Sequence, residues 1–482
     1  MRESIAWIAA ALAACGTSGS PPTGAPDAGG ASDPFAAQPD TGEGLTDVSA
    51  DLDAVLEHGA LATACADYAK APADRRLRLL CGKAMFFDEG FGTAGVPKPL
   101  LTWAMSSFPD EVGPGFTKLG LIEDPRSSEH VPLGFPPGAK LGSVDTFAFG
   151  CASCHFARLP DGRYAVGAPN HAFEYGRMNL ILAVLPALSI PGANEGDHDP
   201  DALAAIQPLR DRMKADPAIG QALLGALLPL LGGTMPVFSK ENEHWYARWR
   251  SGTMDFLIQP LPLDDRVHTV SKISALWGMP DAAEREAHGI GSAMIGWTGS
   301  TVSERNFLAG FVDIGGGVPA DWPDDRFGPL LDYLYSLRAP APPSSSASDS
   351  TQGRAVYVAH CESCHGGPRG MGDHVYTYEE IGTDDAMRWW ADGPDHDGGP
   401  CCGIAFQPGD LLTHGIKSPR LVGLWAMTRF LHDGAIDSLE QLLCLTPRRG
   451  VADPAFGDGG HTFGCDLPTA DREAVLAYLR AH

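Results

Sequence analysis

Residues 149–157 read FGCASCHFA, and within them Cys151, Cys154 and His155 form the pentad C-x-x-C-H. Each cysteine of such a pentad can bond covalently to one edge of a haem, and the histidine that follows is then aimed at the iron. Residues 361–365, CESCH, repeat the pattern with Cys361, Cys364 and His365. A single pentad also fits a zinc or redox C-x-x-C that happens to precede a histidine. Two copies in one chain with an export-type start favour two covalently bound haem c groups, with His155 and His365 as one axial ligand each.

Outward from the pentads, the chain divides at Ala339 to Ser350 (APAPPSSSASDS), a stretch with the composition of a linker. RFGPLLDYLYSL before it and DREAVLAYLRAH at the end of the chain share an L-x-Y-L core at helical spacing, Leu331 to Leu334 and Leu476 to Leu479. Strand patterns are scarce, and 58 Gly and 40 Pro predict long loops. The expected fold is therefore mainly α: a first helical module over residues 45–338, enlarged by insertions, a linker over 339–350, and a second module over 351–482.

The first fifteen residues, MRESIAWIAAALAAC, carry an apolar run too short to span a bilayer as a permanent helix. They resemble a bacterial lipoprotein signal in which Leu12-Ala13-Ala14-Cys15 matches the lipobox. That resemblance implies lipidation at Cys15, with Gly16 rather than Asp implying outer-membrane sorting; a plain secretory signal is the alternative. Residues 16–44, rich in Gly, Pro, Ser and Ala, read as a flexible tether. The net charge of −25 opposes nucleic-acid binding and suits either a basic protein partner or plain solubility. Beyond the pentads and Cys15, six cysteines remain in an oxidising compartment. Cys65 with Cys81 and Cys444 with Cys465 are the expected pairs, since each brackets a short local segment; Cys401 and Cys402 are left over.

The order of motifs resembles the di-haem cytochrome c peroxidase superfamily, which includes the methylamine dehydrogenase maturation enzyme and the rubber oxygenases. Gly82-Lys83 and Met85-Phe86-Phe87-Asp88 are similar to the family's opening, and PDGRYAVGAPNHAFEYGRMNLILA to its segment after the first pentad. LVGLWAMTRFLHDGAIDSLEQLL contains the H-D/N-G of His432-Asp433-Gly434, while GGHTFGCDL and ALWGMP (Ala275 to Pro280) are most similar to the rubber-oxygenase branch. Two departures stand out: the 63 positions from Asp88 to Cys151 imply an inserted loop region, and the chain is shorter than rubber oxygenases usually are.

For the second iron the candidate upper ligands are Met427, His432 and His461, and the resemblance favours His461, with His432 in a hydrogen-bonding role nearby. For the first iron, His171 lies at a spacing similar to that of the peroxidases' removable sixth ligand; in the oxygenase branch that face is open. Trp297 and Phe307 are candidate pocket walls or relays, or else core. The resemblance implies an exported oxidoreductase that uses hydrogen peroxide or dioxygen at the first haem on an unidentified organic substrate, while the second haem relays electrons to or from a small cytochrome or copper protein. The alternative is a pure electron carrier with both irons six-coordinate. Membrane attachment would be through the lipid anchor only, and a calcium ion between the modules is left open.

Overall fold

A computed structural model describes Phe35 and residues 42–189, 192–228, 240–255, 270–290, 296–343, 351–384, 410, 413–451 and 457–482. Cys15 with its signal, most of the tether, the serine-rich part of the linker, and Cys401 and Cys402 lie outside the described residues. The protein is mainly helical, and among the described residues no strand exceeds three residues.

Two helix pairs organise it. Arg75–Asp88 starts at Asp74, whose side chain accepts from Leu77 N–H, and buries Leu79, Leu80, Met85, Phe86 and Phe87. It crosses Asp324–Ser336. Contact at the crossing depends on Gly82, because a Cβ there would stand 2.0 Å from the Pro329 carbonyl oxygen. Phe86 meets Tyr333 edge-on at 6.2 Å between ring centres. The second pair repeats the arrangement: Thr351–His360 packs on Thr469–Arg480, and Tyr357 meets Tyr478 at 5.5 Å. Tyr333 and Tyr478 are the tyrosines of the two L-x-Y-L segments, so the shared sequence pattern corresponds to a shared packing role.

Each pair has its own apolar core. A third core is formed where the insertion before Cys151 meets the helices that follow the first pentad. The insertion is thus more than loop: Lys98–Ser107, with Pro99 in its first turn, packs Leu100, Leu101, Trp103 and Ala104 into that core. A small antiparallel sheet runs beside the first pentad, with Tyr164–Val166 between Val48–Ser49 and Phe156–Arg158. Disulfides join Cys65 to Cys81 and Cys444 to Cys465, the two pairs expected from spacing.

The halves meet around Trp277 of ALWGMP. Its ring is fully buried and donates from Nε1 to the Val166 carbonyl at 2.7 Å. Gly167 from the first half and Gly423 from the second press on it; added Cβ atoms would lie 2.8 and 2.5 Å from the indole. Two arginines of the second half reinforce the seam. Arg420 donates to the Ala275 and Trp277 carbonyls, and Arg369 to the Gly278 carbonyl and, through both terminal nitrogens, to Glu284.

Candidate functional site

Both pentads are short helices, Cys151–His155 and, capped by Cys361, Glu362–His365. They open on one apolar cavity of about 550 Å³ lined by all four pentad cysteines and both pentad histidines. All four thiols are free. Burial, with the neighbouring Cys154 adding to it, pushes the Cys151 thiol up to about 12, and burial pushes Cys154 up to about 11. With no charged partner beside them among the described residues, both groups are neutral thiols at neutral pH.

The two histidines are held alike. His155 Nδ1 lies 2.9 Å from the Ser274 carbonyl and His365 Nδ1 2.8 Å from the Gly370 carbonyl. Each Nδ1–H donates to its carbonyl, which fixes the tautomer with the Nε2 lone pair free to bind a metal. Burial lowers both pKa values to about 4, so both rings are neutral over the physiological range.

Opposite His365 stands His461, with 6.4 Å between ring centres. That separation is close to what two metal–imidazole bonds of about 2 Å each, together with the two half-rings, would span. His461 adopts φ 53°, an uncommon conformation for a residue other than glycine, and its Nδ1 is buried without a protein partner. Its loop is held by Arg448, which donates to the carbonyls of Gln441, Leu442, Asp458, Gly460 and His461. Met427, the other candidate, lines the same cavity.

Among the described residues no ring faces His155 in this way, and His171 is held by backbone. Its Nε2 donates to the Ile273 carbonyl at 3.1 Å and its Nδ1 accepts from Thr428 N–H at 3.2 Å, so both nitrogens are committed to backbone. It does not line the cavity. His432 lies 3.2 Å from both Thr383 Oγ1 and Asp384 Oδ2 through Nε2. Burial opposes its charged form, but the hydrogen bond and charge of Asp384 outweigh this and raise its pKa. Burial drives the adjoining Asp433 up to about 6.

Trp297 and Phe307 both line the cavity. Trp297 bridges the halves: its Nε1 points at the Lys272 carbonyl and its own carbonyl accepts from Lys417 N–H. Three cations that motif reading missed, Lys272, Lys417 and Arg420, also line the cavity. Burial lowers Lys272 to about 8, Lys417 to about 7 and Arg420 to about 10.

Elsewhere among the described residues, one group brings three metal-ligand atoms together: Asp199, Asp201 and His244, in the helices that follow the first pentad and away from the cavity. Its imidazole does not suit calcium, which takes oxygen ligands, and Arg248 approaches His244 Nε2 at 3.3 Å. Compared with known proteins, the chain matches no family model and no curated protein.

Proposed function

We propose that the chain is a di-haem c-type cytochrome that works as an oxidoreductase, with two cytochrome c-like modules around one shared cavity. The observation that carries this reading is the convergence of both C-x-x-C-H pentads on a single apolar cavity, with the imidazole pair His365 and His461 spaced for one iron. Cys151 and Cys154 would attach one haem and Cys361 and Cys364 the other, and His155 and His365 would ligate from the proximal side. When bound, the two groups supply one-electron transfer and, at an open iron face, chemistry with peroxide or dioxygen.

The chain's own residues set different environments for the two. His461, held by the Arg448 clamp, closes the second site, which suits electron relay. His155 has no such counterpart, so the first site suits the substrate-facing role. Ser274 and Gly370 hold the two proximal imidazoles in one tautomer, and Trp297 offers an aromatic contact between the halves. The partner would be a small redox protein, the oxidant hydrogen peroxide or dioxygen, and the chain an exported lipoprotein anchored through Cys15. The electron-carrier alternative asks for a sixth ligand at the first iron, and His171 would have to give up one of its two backbone hydrogen bonds to supply it.

The test is the full chain produced with haem-attachment machinery. Two haems per chain that resist denaturing electrophoresis, with carbon monoxide bound at one of them after full reduction, is the expected result. A chain with no covalent haem would sink the reading, and two haems with no carbon monoxide binding would leave the electron carrier.

A further inference from the structure

The protein buries several cations, and it treats them in two ways. Lys83, fully buried, lies 2.7 Å from Glu57 and 3.1 Å from Asp47. Arg285 is paired with Glu304 and Arg369 with Glu284. Where a buried cation needs an anion, the chain therefore supplies a carboxylate. Lys272 and Lys417 break the pattern. They are only 8 % and 7 % exposed, both line the cavity, and among the described residues neither ammonium has an ion-pair or hydrogen-bond partner. Lys272 meets aromatic faces, with Trp297 and Phe430 at 5.2 and 6.0 Å from its Nζ, and the charged groups acting across from it are Asp433, which forms no ion pair with it, and His432. The charged neighbour acting on Lys417 is Arg420, of like sign, whose guanidinium donates only to carbonyls.

An unpaired buried ammonium is strongly unfavourable, and a like charge beside it adds to the cost. Both groups line the cavity, Lys417 with no protein anion acting on it among the described residues and Lys272 with Asp433 near but not paired, so a direct anionic partner for each belongs to what the cavity holds. We propose that Lys417 and Lys272 are carboxylate-binding residues, one for each half of the cavity. Lys417 ends the strand Gly415–Lys417, which pairs with Val375–Thr377 just beyond the second pentad, so it serves the group attached there. Lys272 ends Val270–Lys272, two residues before the Ser274 carbonyl that orients His155, so it serves the first. Resting on the di-haem reading, the first source of such carboxylates is the haem propionates; the second is an organic substrate bearing a carboxylate.

The test uses the full two-haem protein and the neutral, similarly sized variants Lys417→Met and Lys272→Met, with Lys417→Arg as the conservative control. Redox titration followed in the visible bands gives a midpoint for each haem, and the haem count per chain checks assembly. A carboxylate left without its cation stabilises the more positive ferric state. Each Met variant should therefore keep two haems and shift one midpoint to more negative potential while leaving the other in place, and Lys417→Arg should restore the wild-type value. Titration with benzoate separates the sources: a saturable Soret shift in wild type that is lost in a Met variant assigns a diffusible carboxylate, whereas displaced midpoints without any benzoate response assign propionates. Met variants with two haems, wild-type midpoints and unchanged benzoate behaviour overturn the proposal. If wild type carries no covalent haem, the di-haem reading falls by itself. Calorimetric benzoate binding to that chain, lost in Lys417→Met, then upholds the carboxylate site, and no binding overturns it.

Discussion

The two pentads differ at only one residue, Ala152 against Glu362, yet their surroundings diverge. Around the first, Ala152, Ser153 and Cys154 are buried between two cores, and no ring faces His155 among the described residues. Around the second, Ser363 is exposed, Thr351–His360 runs into the pentad, and a loop clamped by Arg448 carries His461 opposite His365. On the di-haem proposal, the local motif would set attachment, whereas a distant loop would decide whether the second face of the metal is closed.

The largest test of that contrast removes attachment itself. Cys361→Ser with Cys364→Ser should lower the haem count from two to one while carbon monoxide still binds; the corresponding pair at Cys151 and Cys154 should also leave one haem, but abolish carbon monoxide binding. Haem stain after denaturing electrophoresis and gas titration read both. Next in size, His461→Ala should raise carbon monoxide stoichiometry from one to two per chain. Arg448→Ala should give partial occupancy of the same second site, because the His461 loop loses its five-carbonyl anchor. Gly82→Ala should cost the first half about 3 kcal/mol, since the new methyl must displace the Pro329 carbonyl. Denaturant midpoints would check this.

In acid, the halves should differ least. Burial depresses the folded-state pKa of both His155 and His365 to about 4, below the unfolded value of about 6.5. The native state therefore binds fewer protons than the unfolded state across that window. In the chain with all four pentad cysteines changed to serine, stability should be flat in these two groups above pH about 6.5 and fall as pH drops toward 4. Replacing either histidine with Gln should remove a similar share of the slope, measured by urea titration at each pH.

What was legible in the sequence was local. The pentads, the two L-x-Y-L helices and both short-range cysteine pairs needed no knowledge of distant contacts. The Lys98–Ser107 helix was also readable, since Pro99 and the apolar run that follows give a helix start, but the length of the insertion drew attention to loop. The surroundings of His171 were not legible, because spacing alone does not show that its nitrogens meet Ile273 and Thr428, 102 and 257 positions away. The same holds for Lys272, Lys417 and the Arg448 clamp: each looks like an ordinary charged residue until the fold removes water and decides which partner is present.

The arginine seam around Trp277 bears on how the molecule is made. Arg420 reaches carbonyls 143 and 145 positions earlier, and Arg369 spans 91 to Gly278. Contacts of such sequence separation close slowly, after local helices have formed. As the chain emerges from its amino end, the Ser274–Gly278 loop is complete long before either arginine exists. The carbonyl that orients His155 belongs to that loop, so the second half adds its support to a stretch that the first half already holds through Val166. A truncation at the linker should therefore yield a first half whose Ala275, Trp277 and Gly278 carbonyls lack their arginine donors.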